Sequence, residues 1–191
     1  MDAPELIVFG RPNGAGKSTF AIDHSRSSQC EYIGADAIAE ELSPNNPISV
    51  RVEASRIFLD RIRNAVSKRQ SFVVESTLSG KSLRRFIETA KINGFRVTIV
   101  FVFLDSPYTC IQRVKQRTRM GGHDVPESDI RRRFSRSITN FWHIYRQLAD
   151  FWMLVYNSGD TPENVALGDD VKTIVRIDNL FQLFNSHMEH D

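Results

Sequence analysis

The sequence predicts a three-layer α/β domain with helices on both faces of a mostly parallel central sheet. Short apolar runs alternate along the chain with longer amphipathic segments, as in repeated strand–helix–strand units. The apolar runs are almost continuously hydrophobic, which is typical of strands buried on both faces. The chain has 191 residues, 41% of them hydrophobic and 25% charged, and this balance predicts one soluble globular domain over residues 1–191.

The predicted strands are rich in β-branched and aromatic residues, which favour an extended backbone. They cover residues 5–9, 71–76, 96–104, 151–156 and 172–177. A shorter strand is expected to end near Ile33. Because helix-length segments separate most of these runs, we expect neighbouring strands to pair in parallel.

The predicted helices lie between the strands and repeat apolar residues at helical spacing. They cover residues 50–69, 80–93 and 127–149. The last is the clearest, because Ile130, Phe134 and Ile138 recur on one face. Segments 43–47 and 158–164 combine Pro, Asn, Ser and Gly, and we interpret both as surface loops.

Residues 8–20, VFGRPNGAGKSTF, contain a phosphate-binding loop between the first predicted strand and a predicted helix. Backbone N–H groups there can converge on a phosphate at the positive end of the helix, Lys17 can reach the β- and γ-phosphates, and the Ser18 hydroxyl can bind Mg²⁺. The residues assigned to the nucleotide are Asn13, Gly14, Ala15, Gly16, Lys17, Ser18 and Thr19. The sequence therefore predicts a nucleotide-binding site with a P-loop NTPase or kinase fold.

Arg11 occupies the position at which the loop pattern has its first glycine. A Cβ and a guanidinium at this tight turn are expected to strain the backbone or to occupy the volume of the anion. Gly10 lies one residue too early to restore the spacing. The alternative is that the arginine turns outward or toward the nucleotide as a phosphate ligand. We expect impairment rather than adaptation, so that activity is weakened or absent.

Three acidic residues follow predicted strands, where open α/β sheets present ligand-binding groups. Asp36 can take a proton from an acceptor hydroxyl or can cap the following helix, and the sequence leaves both roles open. Glu75 can orient water on Mg²⁺ or hold a substrate hydroxyl. Asp105 competes for that role, but it precedes Ser106 and Pro107, and helix entry is its expected function.

A basic cluster in the second half of the chain predicts a lid over the phosphates, covering about residues 106–136. Arg113 and Arg117 are spaced to share one helix face, and a Gly-Gly loop at 121–122 leads to the basic run 131–133. Arginines on two helices joined by such a loop can neutralise charge in a phosphoryl-transfer transition state. The alternative is a solvated basic face.

Other site classes are disfavoured. Cys30 and Cys110 match no disulfide or metal spacing, which predicts reduced thiols in a cytoplasmic protein. The apolar runs are too short for a membrane span, and the net charge of +2 counts against a nucleic-acid partner. The LSGK segment at 78–81 is similar to a signature of transporter ATPases, but no apolar run ending in Asp-Glu follows it, and we interpret it as a loop entering a helix.

Five segments, in this order, together resemble the small bacterial zeta-toxin-like P-loop kinases across nearly the whole chain. They read PNGAGKST (12–19), YIGADAIAEEL (32–42), VVESTLSG (73–80), RVKQRTRMGGHDVPESDIRRRFSRSITNF (113–141) and YNSG (156–159). The resemblance implies an ATP-dependent kinase that acts on a small-molecule hydroxyl, in the best-known members that of UDP-N-acetylglucosamine, a sugar nucleotide. It also implies a small antitoxin protein as partner.

The resemblance assigns roles to individual residues. Lys17 and Ser18 serve ATP and Mg²⁺, Asp36 is the base, and Glu75 and Thr77 lie near the acceptor. Arg117 and Arg133 lie at the γ-phosphate, with Arg113 and Arg132 as alternatives in the alignment.

This chain departs from the family pattern at Arg11 and is shorter than the best-characterised toxins, which affects the acceptor pocket. Two other functions stay open. One is a kinase of a different small molecule or of a nucleic-acid 5′-hydroxyl. The other is a non-catalytic protein that binds a nucleotide or a partner.

Overall fold

The computed structural model describes residues 3–15, 19–122 and 124–188, without the side chains of residues 19, 20 and 23. Its described strands form one seven-stranded sheet. In chain order they are β1 Glu5–Gly10, β2 Glu31–Gly34, β3 Phe72–Ser76, β4 Arg96–Phe103, β5 Phe151–Tyr156, β6 Glu163–Gly168 and β7 Thr173–Val175. Their order across the sheet is β2-β3-β1-β4-β5-β6-β7.

The helices connect the strands and cover the sheet. They are α1 Thr19–Ser28, α2 Ala35–Leu42, α3 Arg51–Ser67, α4 Ser82–Ile92, α5 Pro107–Arg119, α6 Glu127–Asn140 and α7 Asp178–Ser186. A short 3₁₀ turn, Pro47–Val50, precedes α3. No described helix is long and apolar enough to cross a bilayer.

The predicted fold class is confirmed, since β1 to β5 pair with one another in parallel and form a three-layer α/β arrangement with the helices. The parallel strands are buried over most of their length, as their continuous hydrophobicity predicted. The loop prediction at 43–47 and the helix predictions at 50–69 and 80–93 agree with the structure to within two residues at each helix end.

The far edge of the sheet differs from the prediction. β6 begins at Glu163, inside the segment predicted as a loop, and it runs antiparallel to β5. The run at 172–177 forms only the short strand β7, which is antiparallel to β6. β6 mixes exposed and buried positions and β7 is mostly exposed, so neither has the hydrophobic signal of a central strand.

The long helix predicted over 127–149 changes form after α6. Residues 141–145 form a π-helical turn and residues 146–148 a 3₁₀ turn. Phe141 stacks on Phe101 of β4 with ring centroids 4.5 Å apart, and the Tyr145 hydroxyl donates to the carbonyl of Gly80. The wider turn thus accompanies the burial of both aromatic side chains, and helical spacing alone does not indicate it.

An aromatic group supports the core beneath α6 and α7. Phe101, Phe103, Phe141, Trp152 and Phe184 are all fully buried. Phe141 contacts three of the others through stacked or edge-on rings. Such pairs add to the stabilisation that burial of apolar area provides.

We expect Phe141→Ala to lower the free energy of unfolding by about 3–5 kcal/mol, because it leaves a cavity among packed rings. Urea denaturation followed by circular dichroism measures this change. Ile92→Ala is the matched control, since the Ile92 side chain is 86% exposed and its loss is expected to cost less than about 0.5 kcal/mol. Equal effects of the two substitutions would contradict a core role for Phe141.

Candidate nucleotide and acceptor site

A cavity of about 560 Å³ opens at the carboxyl edge of the parallel strands. Side chains and backbone from six parts of the chain line it. These are residues 11–14 after β1, residues 32 and 34–36 around the end of β2 and the start of α2, residues 55, 58 and 59 of α3, residues 75–77, 79, 80 and 82 around the end of β3, Arg117 of α5, and three arginines of α6, Arg132, Arg133 and Arg136. This is the edge at which open α/β sheets bind ligands.

The described part of the phosphate loop makes a tight turn between β1 and α1. The Ala15 N–H donates to the Pro12 carbonyl over 3.2 Å. Gly14 has a φ of +83°, and a Cβ there would lie 2.5 Å from the Cys110 carbonyl oxygen of α5. Glycine is therefore required at position 14 both by the backbone conformation and by the contact with α5.

Several of the predicted nucleotide-binding residues lie outside the described residues. Gly16, Lys17 and Ser18 are in the undescribed gap, and Thr19 is described only through its backbone, which begins α1. Asn13 and Gly14 line the cavity, whereas Ala15 is buried behind it. The roles assigned to the undescribed residues stay predictions.

Arg11 is not strained, and the expectation of a strained turn is wrong. Among the described non-glycine residues, positive φ values occur only at Gln29, Arg69 and Leu78. The Arg11 backbone continues from β1, and its N–H donates to the Ser76 carbonyl over 3.1 Å. Gly10 supplies no unusual φ; instead it leaves room for the Leu78 side chain, which a Cβ at position 10 would contact too closely.

The Arg11 guanidinium forms an ion pair with Oε1 of Glu75, and the two side chains are 16% and 11% exposed. The other carboxylate oxygen of Glu75 accepts a hydrogen bond of 2.8 Å from the Tyr32 hydroxyl. Both oxygens of Glu75 are thus engaged by protein groups. The ion pair explains how the long Arg11 side chain fits beside the phosphate loop, because the Glu75 carboxylate neutralises and hydrogen-bonds its partly buried guanidinium group.

Tyr32 was not predicted as a site residue. It lies two residues before Gly34 on the same face of β2, and Gly34 is the Cα partner of Glu75 in the parallel register. A Cβ on Gly34 would come within 2.6 Å of the Tyr32 hydroxyl oxygen. Glycine at position 34 therefore lets the phenol reach Glu75, and the Y-x-G spacing is the sequence signal that could have indicated this contact.

Asp36 does not cap α2. The N-cap is Gly34, which makes no side-chain cap hydrogen bond, and Asp36 lies in the first turn of the helix. Its side chain is exposed and lines the cavity. The structure therefore excludes the capping role, one of the two that the sequence left open. The carboxylate is nevertheless stabilised by its position near the positive N-terminus of the helix.

Asp105 does not perform the helix entry by itself. Ser106 is the N-cap of α5, and its Oγ accepts from the Thr109 N–H. Asp105 instead pairs with Ser158, whose Oγ accepts from the Asp105 N–H over 2.9 Å and donates to Oδ1 over 3.0 Å. Asp105 does not line the cavity, so it does not compete with Glu75 there.

The loop after β3 carries Thr77 into the cavity lining, where its hydroxyl lies 2.8 Å from that of Ser79. The neighbouring Leu78 has a φ of +55°, a costly conformation for a branched side chain. The Leu78 carbonyl accepts from Asn140 of α6 over 2.9 Å, and burial raises the pKa of Tyr145, which binds the Gly80 carbonyl, to about 12. The protonated phenol and the amide together hold this loop as it enters α4, as predicted for residues 78–81.

The arginine cluster separates into residues that reach the cavity and residues that do not. Arg117 and Arg133 line it, and Arg132 does too, whereas Arg113 does not. Their predicted position at the γ-phosphate stays a prediction. Arg133 lies 3.5 Å from both the Asn13 Oδ1 and the Asp129 Oδ2. It therefore connects α6 to the phosphate loop and is oriented by a carboxylate of its own helix.

The helices α5 and α6 are joined near their connecting segment by an ion pair of 2.6 Å between Lys115 and Glu127. The hydrogen bond from Lys115 lowers the pKa of the exposed Glu127. In the connection between the helices, a Cβ on Gly122 would lie 2.5 Å from Cγ of Arg117, so glycine leaves space for that arginine. His123 lies outside the described residues.

The described residues contain no group of three His, Cys, Asp or Glu side chains that could hold a metal ion. Burial raises the pKa of the Cys110 thiol to about 12, so it is protonated and unreactive at neutral pH. The described residues that line the cavity carry carboxylate, hydroxyl and guanidinium groups.

Solved structures share this fold at low sequence identity. A chain of the AvrRxo1-ORF1:AvrRxo1-ORF2 crystal structure with sulphate ions matches 96% of this chain with a TM-score of 0.76 and 18% identity, and this chain spans 64% of its length. A structure of the PezAT toxin–antitoxin system of Streptococcus pneumoniae matches 99% of this chain and 87% of its own, with a TM-score of 0.63 and 11% identity. A gluconokinase from Sinorhizobium meliloti matches 99% of this chain and 94% of its own, with a TM-score of 0.53 and 19% identity. The fold is that of P-loop kinases.

At the sequence level, an uncharacterized protein of Haemophilus influenzae is 33% identical over 130 residues, which are 68% of this chain and 92% of the relative. The family model described as AAA domain matches residues 6–136. That range runs from β1 through the phosphate loop, Asp36 and Glu75 to the last cavity arginine, Arg136. The chain therefore belongs to the AAA domain family.

Proposed function

We propose that this protein is an ATP-dependent phosphotransferase of zeta-toxin type that transfers the γ-phosphoryl group to a hydroxyl of a small molecule. The observation that carries the proposal is the single cavity in which the phosphate loop, the carboxylate of Asp36 and the guanidinium groups of Arg117 and Arg133 meet. Phosphoryl transfer needs little beyond positioning and charge stabilisation, and these are the groups that supply both.

The nucleotide side of the proposal rests on the loop and on α1. Asn13 and Gly14 line the cavity, and a ten-residue helix begins directly after the loop. The helix N-terminus favours phosphate, Lys17 would contact the β- and γ-phosphates, and the Ser18 hydroxyl would hold Mg²⁺. The hard carboxylate and hydroxyl oxygens of this cavity fit Mg²⁺, which neutralises phosphate charge when bound. A crystal structure of AvrRxo1-ORF1:-ORF2, which shares the fold, contains ATP.

The acceptor side lies toward β2, α2 and α3. Asp36 is exposed to the cavity and would accept the proton of the attacking hydroxyl, as a general base. Ser55, Thr77 and Ser79 add hydroxyl groups to the lining, and Phe58 adds an apolar face. Such a lining suits a polar, hydroxyl-bearing acceptor. UDP-N-acetylglucosamine is the first acceptor to test, because the motif order resembles the zeta toxins and the PezAT structure shares the fold.

The helical region of about residues 106–136 would act as a lid. Arg117 and Arg133 come from its two helices, and the contact of Arg133 with Asn13 links it to the nucleotide loop. Closure would bring both guanidinium groups to the charge that develops on the transferring phosphoryl group.

An antitoxin protein is proposed as partner because PezAT is a toxin–antitoxin system. A cytoplasmic location, where ATP is available, accompanies this function.

We further propose that Arg11 weakens the activity. The reason is not backbone strain but the engagement of Glu75, whose two oxygens are bound by Arg11 and Tyr32. A carboxylate held in this way is less available to orient an acceptor hydroxyl or a water on Mg²⁺. The same observation favours the second candidate function, a nucleotide-binding protein without catalytic activity.

Lys17→Ala is expected to lower phosphate transfer by about 10²–10³-fold, because one cation on the transferring phosphates is lost. Transfer from labelled ATP to a panel that includes UDP-N-acetylglucosamine, gluconate and a 5′-hydroxyl oligonucleotide measures this and identifies the acceptor. Lys68→Ala, at an exposed position beyond the end of α3, is the matched control and is expected to keep the wild-type rate. Transfer that survives Lys17→Ala would show that the loop is not the active site.

Asp36→Asn is expected to lower kcat by about 10²–10⁴-fold and to leave ATP affinity nearly unchanged, because a general base acts on the acceptor proton. Steady-state kinetics with varied ATP and varied acceptor separates the two effects. Asp60→Asn on α3, which removes an exposed carboxylate paired only at the surface with Arg63, is the control. A rise in the KM for ATP with an unchanged kcat would contradict a role for Asp36 as the general base and would indicate a role in ATP binding.

Arg11→Gly is expected to raise phosphate transfer by about tenfold, the equivalent of one hydrogen bond regained at the acceptor. The same substitution is expected to lower the free energy of unfolding by about 1–3 kcal/mol, since it leaves Oε1 of Glu75 without its cation. Rates at saturating Mg²⁺ and urea denaturation test the two effects separately. Equal or lower transfer by the variant would make Arg11 a working part of the site.

A further inference from the structure

We propose that Asn157 is a positioning residue that holds the phosphate loop in the conformation that receives a nucleotide, an inference that rests on the proposed function. Asn157 follows β5 and lies within the YNSG segment. Its Nδ2 donates a hydrogen bond of 2.9 Å to the carbonyl oxygen of Ala15. This bond joins the end of a central strand to the phosphate loop.

Asn157 is itself held in place. Its N–H donates to the Phe103 carbonyl over 3.0 Å, so the contact between β4 and β5 extends by one residue. The next residue, Ser158, makes two hydrogen bonds to Asp105. The backbone bond to Phe103 does not depend on the Ser158 side chain, and it fixes Asn157 relative to the sheet rather than to the phosphate loop.

The hydrogen bond from Asn157 holds the Ala15 carbonyl group, whose negative oxygen would repel a phosphate bound in the loop. A phosphate loop works by directing N–H groups at the phosphate, and the C=O and N–H of a trans peptide point in opposite directions. Neither Ala15 nor Asn157 lines the cavity. The Ala15 carbonyl is bound by Asn157, and we expect this bond to keep its negative oxygen from turning toward a bound phosphate.

Two other contacts restrain the phosphate loop next to the Ala15 carbonyl, so the Asn157 side chain supplies the restraint that they leave out. Gly14 packs against the backbone of Cys110, and the Ala15 N–H closes the turn on Pro12. Asn157 holds the carbonyl side of the same residue. Without Asn157, we expect the peptide group that follows Ala15 to rotate more freely in the nucleotide-free protein. Nucleotide binding would then have to order this peptide group, and the entropy cost would reduce the affinity for phosphate groups.

The test is Asn157→Asp, which keeps the shape of the side chain and replaces the donating amide with an oxygen that repels the Ala15 carbonyl. Titration of the full chain with ADP and with AMP, in the presence of Mg²⁺, separates the β-phosphate from the rest of the nucleotide. We expect ADP affinity to fall by about tenfold and AMP affinity by less than about twofold. The KM for ATP should rise in parallel while kcat changes little.

Ser158→Ala is the matched control. It removes the bonds to Asp105 on the same turn, and it is expected to lower the Tm without changing the ratio of ADP to AMP affinity. Asn157→Ala is a second variant that should show the same selective loss of ADP affinity if the aspartate variant fails to fold. An equal loss for ADP and AMP, or the same selective loss in Ser158→Ala, would overturn the assignment.

The outcomes also separate this inference from the proposed function. Wild-type protein that binds ADP through Asn157 but transfers no phosphate to any acceptor would contradict the kinase proposal and leave the role of Asn157 standing. Wild-type protein that binds neither nucleotide would overturn both.

Discussion

The parallel pairing of β1 with β3 on one side and β4 on the other is the constraint on which the rest of this structure depends. Parallel strands end at the same edge of a sheet, so the loops that leave β1, β3 and β5 emerge side by side there. The phosphate loop, Glu75 and Asn157 come from those three loops or strand ends. The cavity forms where helices supply the remaining walls of this edge.

The region around α6 links the core to both halves of the site. At its end, Asn140 binds the loop after β3, and the π-helical turn that follows buries Phe141 and directs Tyr145 to the same loop. Two turns earlier, Arg133 approaches Asn13 of the phosphate loop. A lid that moved as proposed would therefore act on the nucleotide loop and on the acceptor loop through one helix.

Electrostatics in the cavity is asymmetric. Five arginines line it against two carboxylates, Asp36 and Glu75. The ion pair of Arg11 with Glu75 uses one carboxylate locally, and Asp129 holds Arg132 and Arg133 from outside the lining. Asp36 is exposed and shares the cavity lining with the five arginines. This distribution is compatible with the proposed phosphoryl transfer, in which arginines would neutralise phosphate charge and Asp36 would accept a proton.

Much of the fold and part of the site could be predicted from the sequence. Continuous apolar runs identified β1, β3, β4 and β5 because strands buried on both faces have an unambiguous composition. The half-exposed edge strands β6 and β7 lack that composition and were missed or assigned to the wrong orientation. The phosphate-loop motif, Asp36 and Glu75 were singled out by their position at or after the ends of predicted strands. Tyr32 had only the Y-x-G spacing as a local signal, and Asn157 had none that indicated its contact with Ala15.

The sequence by itself determined the succession of the strands β1 to β5, the phosphate-loop motif and the basic segment that contains Arg117 and Arg133, because each depends on residues close together in the chain. Only the tertiary structure decided which side chains contact one another. Local backbone geometry resolved the cap hypothesis for Asp36 and the strain hypothesis for Arg11, and the contact of Asp105 with the distant Ser158 accompanies its absence from the cavity lining. Arg11 finds Glu75 across 64 positions and Asn157 finds Ala15 across 142, and such distances carry no periodicity from which a contact could be deduced.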